Sequence, residues 1–287
     1  MNASELRDVI AWMIGGARSA PTPPQMMAEC CERLVRAGLP LWRIGVFVRT
    51  LHPEIYGRHF FWRPGAEVET GTVDHNIEES PEFAVSPLSI VFKQGIEVRA
   101  RLDDPSSKRF PIVVDLQAEG VTDYIAVPLI NTDGRPNASS WTTRQPGGFT
   151  EEQLDAIRSI AIPLARYIEI VTLRHTASLL LDTYVGNRAG ERIMGGQIRR
   201  GHADTMDAAI WLSDLRGFTA LSDRLPAETV VEILNLYFDC QVTAIRDHGG
   251  EVLKFMGDGL LAVFPVDEYL GDEAQVCSRV LDAARAS

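Results

Sequence analysis

Apolar positions along the chain change period several times, and each change marks an element. In "SELRDVIAWMIGGAR" they recur at steps of three and four, which predicts a helix with Ser4 as its N-cap. "TPPQMMAECCERLVRAG" predicts a second helix, with Pro23 and Pro24 near its first turn and Gly38 past its end. "LWRIGVFVRT" and "GRHFFWRP" are strand candidates. Positions 65–87 are polar and Glu-rich, with weak periodicity. "EGVTDYIAVPLI" reads as a buried strand, and "ASSWTTRQPGG" as a β-branched run closed by turn residues. These elements predict an α+β domain over residues 1–149.

A helix opens next, with Thr150, Glu151 and Glu152 placing acids in its first turn. Leu154, Ile157, Ala161, Leu164, Ile168 and Val171 follow at heptad steps, over too few heptads to prove a coiled coil. The seam fits a helix packed on its own domain as well as a parallel dimer helix joining two domains. Pro163 is a potential kink, and His175 breaks the seam. A glycine-containing connector, "TYVGNRAGERIMGGQIRRGHADT", completes a linking segment over 150–200.

The remaining stretch, 201–287, reads strand, short helix, long helix, hairpin, helix. "DAAIWLSDL" is the strand and "FTALSDRL" the short helix. "PAETVVEILNLYFDCQVTAIRDHGG" is the long helix, stopped by Gly249 and Gly250. In "EVLKFMGDGLLAVFP" apolar residues alternate on both sides of Gly-Asp-Gly, which predicts two strands folded back at a tight turn.

Composition narrows the possibilities. A length of 287 residues suits two domains. The net charge of −11 argues against nonspecific binding to nucleic acid or anionic lipid. Four scattered cysteines without a C-x-x-C pair disfavour zinc and suit a reducing compartment. No apolar run of membrane-spanning length occurs, and the first residues lack a signal-peptide shape, so a cytoplasmic protein without membrane insertion is expected.

Candidate chemistry lies in two aspartates. Asp214 ends one strand and Asp258 occupies the hairpin turn. If those strands are neighbours, both carboxylates reach one sheet edge, where they repel unless a cation intervenes. Hard oxygen ligands with open positions suit Mg²⁺ or Mn²⁺, with substrate phosphates completing the shell. Gly217, Phe218 and Thr219 would offer backbone N–H groups to a phosphate. Taken singly, Asp258 also fits plain turn chemistry, Asp214 a helix entry, and Lys254 a solvated edge position. His248 suits helix-dipole compensation and Trp211 the core.

Two resemblances follow from these stretches. "YIAVPLI … SSWTTRQPGGFTEEQLDAIRSIA" and the order of elements before it resemble a GAF-type sensor domain, which implies a possible small-molecule ligand or a packing and dimerising role. "WLSDLRGFTALSDRL" and "GGEVLKFMGDGLLAVF" resemble the two N-terminal motifs of class III nucleotide cyclases, over about 208–286. The second resemblance implies part of a ferredoxin-like cyclase domain, acting on ATP as a homodimer to give cyclic AMP and pyrophosphate. It implies two metal ions per site, Mg²⁺ or Mn²⁺, on Asp214, Asp258 and the Leu215 carbonyl. It further implies that Lys254 reads adenine, where Glu would accompany guanine.

The family's later Asn-x-x-x-Arg segment has no counterpart here, since no Asn follows Asn235. The expectation is weak Mn²⁺–ATP binding without appreciable turnover by this length of chain, and an uncovered apolar sheet face. A catalytically inactive cyclase-like sensor or interaction module is the alternative. A diguanylate cyclase ranks third, because its Gly-Gly-Asp/Glu-Glu-Phe turn is absent.

Overall fold

The computed structural model describes residues 1–50, 55–185, 187–196, 205–266 and 271–287. They form two compact units, Met1–Thr176 and Ala177–Ser287. The domain boundary expected at 200/201 lies outside the described residues, as does much of the connector before it.

The first unit begins with α1 (Ala3–Ile14) and α2 (Pro23–Arg36). Asn2, not Ser4, caps α1: its Oδ1 accepts from Ser4 N at 3.0 Å and Glu5 N at 3.4 Å. Both residues are good cap types, and the one with extended backbone ahead of the turn takes the role. Thr22 and Gln25 form a reciprocal capping box on α2. Then come β1 (Arg43–Arg49), β2 (Gly57–Trp62) and β3 (Glu69–Val73). Strand β3 lies in the stretch of weak periodicity. Among the described residues it pairs with β2 alone, and its side chains are exposed or half-buried, so it carries little hydrophobic pattern.

Next are α3 (Pro81–Ala84), α4 (Pro87–Gln94), β4 (Val98–Arg101) and α5 (Ile112–Ala118). The strands β5 (Asp123–Ile130) and β6 (Pro136–Thr143) lead into α6 (Glu151–Val185). The six strands form one antiparallel sheet in the order β3-β2-β1-β6-β5-β4. Alternation sends Ile44, Val46, Ile125 and Trp141 to one face, under α1, α2 and α6. It sends Tyr124, Ala126 and Ala138 to the other, under α4 and α5. Both faces are therefore covered.

A buried carboxylate fixes where α6 starts. Asp123 is fully buried and meets Arg99 Nη2 at 2.7 Å while accepting from Phe149 N at 3.0 Å. The seam residues Leu154, Ile157, Ala161, Leu164 and Ile168 then pack into the core of this unit. Over that stretch the helix packs on its own domain. Helix α6 runs on through Pro163.

In the second unit, the expected connector contains α7 (Asn187–Met194), a helix its glycines concealed. Then follow β7 (Ala208–Asp214), α8 (Phe218–Ser222), α9 (Ala227–Asp247), β8 (Glu251–Met256), β9 (Gly259–Pro265) and α10 (Glu273–Ala286). The sheet order is β7-β9-β8, with both pairs antiparallel, so β7 and β8 run parallel with β9 between them. That is a split β-α-β arrangement, as in ferredoxin-like folds. Trp211, Leu260, Ala262 and Phe264 pack with Ile245, Val276 and Ala283 on the inner face. On the outer face Ile210 and Leu212 remain 71% and 69% exposed.

Candidate functional site

The hairpin and β7 deliver the two aspartates together. Met256 pairs with Gly259, so Gly257 and Asp258 form a two-residue loop. Gly257 has φ +66° and Asp258 does not have positive φ, which is the requirement of a type II′ turn with Gly first. In the next strand pair Gly259 faces Asp214 directly. The Asp258 loop is thus held beside the last residue of β7.

The two carboxyl groups are neighbours, since Asp258 directly precedes the residue that faces Asp214. Hydrogen bonding with Asp258 and the charge of Asp258 push the Asp214 pKa above the ordinary carboxylate value. Two neighbouring acids cannot both ionise comfortably without a cation beside them. Their oxygens are hard donors, and the Leu215 carbonyl follows directly on Asp214, a set that fits Mg²⁺ or Mn²⁺. Among the described residues no cluster of three or more His, Cys, Asp or Glu side chains is arranged for a metal. Any ion here would therefore draw its remaining ligands from backbone, water or substrate oxygens.

The chain leaves β7 through Gly217, whose φ of +81° is the left-handed geometry that glycine adopts without strain. Phe218 N donates to Leu215 O at 3.2 Å. This corrects one expectation: of the three amides assigned to a phosphate, that of Phe218 is already used in closing the turn.

Lys254 reaches the same face by way of a bulge. Val252 pairs with Ala262, and Lys254 pairs with Leu261, leaving Leu253 as the extra residue. Across the sheet Lys254 lies in one row with Leu261 and Leu212, and Met256 lies in the next outer row with Gly259 and Asp214. Lys254 is exposed, and it shares the outer face with Asp214, Ile210 and Leu212. The extra residue lets Val252 and Phe255 keep the inner face while the lysine points outward. Phe255 stacks edge-on with Phe238 of α9 at 4.8 Å.

One contributor was missed in the sequence. Gln241 is buried on α9 and accepts hydrogen bonds from Ser213 Oγ and, at 3.4 Å, from Trp211 Nε1. It ties the end of β7 to α9 from behind and so positions Asp214. The signal was a glutamine within an otherwise apolar helix face. His248 Nδ1 lies 2.8 Å from Ala244 O, at the C-terminal end of α9.

No protein-family model matches the chain. The chain is similar to the terminal-differentiation-specific adenylate cyclase of Dictyostelium discoideum, 35% identical over 65 residues, which are 23% of this chain and 3% of that protein. It is 36% identical over 77 residues to adenylate cyclase type 10 of Oryctolagus cuniculus, covering 24% of this chain and 5% of that protein. With the photoactivated adenylate cyclase subunit beta of Euglena longa it shares 27% identity over 145 residues, covering 50% of this chain and 16% of that protein. The match therefore spans only a small part of each relative's length.

Among solved structures, the phycocyanobilin-bound GAF domain of a cyanobacterial phytochrome aligns with 59% of this chain and 97% of its own, at 16% identity and TM-score 0.42. The GAF domain of a phosphoenolpyruvate-protein phosphotransferase from Coxiella burnetii aligns with 61% and 99%, at 16% identity and TM-score 0.42. Comparison thus returns the two kinds of protein that the sequence resembles, adenylate cyclases over part of their length and GAF domains.

Proposed function

We propose that the second unit binds ATP as an adenylate cyclase does, for conversion to 3′,5′-cyclic AMP and pyrophosphate, and that the GAF-like unit regulates it. The observation that carries this reading is the register that sets Asp258 beside Asp214, on the face that also holds Lys254. Asp214, Asp258 and the Leu215 carbonyl would hold Mg²⁺ or Mn²⁺, two ions per site. Such ions lower the pKa of the ribose 3′-hydroxyl and offset phosphate charge.

The residues of this chain supply the rest. Lys254 Nζ donates to adenine N1, an acceptor, whereas guanine N1–H is itself a donor. The Gly217 and Thr219 amides face phosphate oxygens, with the Phe218 amide committed to Leu215. Gln241 and Ser213 hold the strand that carries Asp214. A second copy of the chain, as a homodimer, would cover the outer face where Ile210 and Leu212 lie exposed.

The test is calorimetric binding of ATP and GTP, with and without Mn²⁺, to the purified chain. ATP binding that needs the metal and exceeds GTP binding supports the proposal. Binding that ignores the metal, or no binding, contradicts it. Any cyclic AMP formation disappears in Asp214→Ala and in Asp258→Ala. Activity that survives either change at near-parental level removes that carboxylate from its role.

A further inference from the structure

A cavity of about 290 Å³, partly open to solvent, lies within the first unit between α2, the sheet and α6. Its sheet wall is Ile44, Val46, Val48, Phe60 and Trp141. Helix α2 contributes Met26, Met27, Cys30 and Cys31, side chains soft enough to fit varied apolar shapes. Burial pushes the Cys30 thiol up to about 12 and the Cys31 thiol well above its ordinary value, so neither supplies a thiolate near neutral pH. The cavity is therefore a place for apolar mass and not for thiol chemistry.

Apart from Tyr167, its polar lining is gathered at one end. Strand β1 runs from Ile44 past Val48, Thr50 follows its last residue, and Arg58 pairs with Val48 on the antiparallel neighbour. Thr50 and Arg58 therefore mark the C-terminal end of β1. Helix α6 is tied at its start by Glu151 to Arg99, at 3.3 Å. Further along, Glu169 accepts from Thr132 N, in the β5–β6 turn, at 2.9 Å. Arg49 N donates to Asn137 Oδ1 at 2.9 Å, so the end of β1 lies at that same turn. Thr172 and His175, one and two turns beyond Glu169, thus line the cavity at the end marked by Thr50 and Arg58.

We propose that this cavity binds a small anionic amphiphile, a medium-chain carboxylic acid in chemical class, with its chain along the sheet wall and its carboxylate at Arg58 and His175. The separation of an apolar body from one polar end selects an amphiphile over a uniformly apolar molecule. The sign of the head group follows from the lining: it contains Arg58 and His175 and no Asp or Glu, in a chain whose net charge is −11. Arg58 makes no ion pair among the described residues, and a guanidinium matches a carboxylate in a two-pronged contact. The volume lies near the lower end for ligand pockets, roughly 300 Å³, which limits the chain to medium length. His175, which interrupts the apolar seam of α6, acquires a purpose as part of the head-group end. This cavity shares no residue with the Asp214–Asp258 site, so either reading can fail without the other.

The experiment titrates the purified 287-residue chain with decanoic acid and with decan-1-ol, each below its aggregation threshold, by calorimetry. The acid should bind saturably and about tenfold tighter than the alcohol, as a charge-assisted contact provides. In Arg58→Gln, an exposed position where folding is not at stake, that preference should fall to about threefold or less. Val171→Trp, which fills the α6 wall, should abolish binding of both. No saturable binding to the parent, equal affinity for acid and alcohol, or an unchanged preference in Arg58→Gln would each overturn the proposal. A folded Val171→Trp chain that binds the acid as the parent does would overturn it as well.

Discussion

The two sheets of this molecule are covered differently. In the first unit, helices lie on both faces of six strands, and Trp141, Tyr124 and Ile125 are almost completely buried. In the second, the described helices α9 and α10 pack on the inner face of three strands, and Ile210 and Leu212 on the outer face are exposed. The candidate polar chemistry sits on the open face: Asp214 and Lys254 occupy its rows, and Asp258 its turn. The doubly covered sheet forms one wall of a partly open cavity instead. A covered sheet can hold a ligand inside the fold, whereas an open one must complete its site with something from outside.

The largest expected effects test the coverage itself. Trp141→Ala should destabilise the first unit by about 3–5 kcal/mol, by removing a buried aromatic and leaving a void. The double variant Ile210→Ser and Leu212→Ser should change stability by less than about 1 kcal/mol, because both side chains are already in water. Urea unfolding of both proteins makes the comparison. A large loss in the outer-face variant would mean that this face is covered within the chain, and the contrast would collapse.

Asp123→Ala comes next. It leaves Arg99 without its buried partner and frees the turn before α6, at a cost of about 3–5 kcal/mol. Loss of amide protection at the start of α6 before the centre of the sheet, seen by hydrogen exchange, would locate the damage. A wild-type pattern would show that α6 does not depend on that carboxylate.

Lys254→Glu, on the open face, should leave stability nearly unchanged and reduce the preference for ATP over GTP by about tenfold. Unchanged discrimination removes Lys254 from base reading.

The smallest effect concerns acid. Asp214 titrates high because Asp258 adjoins it. A raised acid pKa means that the folded chain holds a proton which the unfolded chain has released. The pair therefore lowers stability as pH climbs from the ordinary carboxylate value through the raised one. In metal-free protein, Asp258→Asn should lower the Asp214 pKa and lessen that decline. A carboxyl titration followed by NMR that is identical in both proteins would contradict that proximity.

The aspartates were readable in the sequence because each interrupts an apolar alternation at a turn signal, and the interruptions stand out against β7, β8 and β9. The bulge at Leu253 was not readable, because register is a property of the pair of strands and not of either one. Gln241 was hidden for a related reason: its partners, Ser213 and Trp211, lie on another element. The helix Asn187–Met194 was obscured by the glycines around it. The cavity left no trace in the pattern, since its walls are the same apolar residues that fill an ordinary core. Only Arg58 and His175 hint at it, and nothing in the linear order brings them together.

The most direct test of the open-face site is an electron paramagnetic resonance titration of Mn²⁺ into the purified chain in the presence of ATP, beside Asp214→Asn and Asp258→Asn. These replacements keep the size of each side chain and remove one negative charge. The account predicts that the parent takes up Mn²⁺ and that each variant binds it about tenfold more weakly or worse. Equal Mn²⁺ uptake by all three proteins would contradict it.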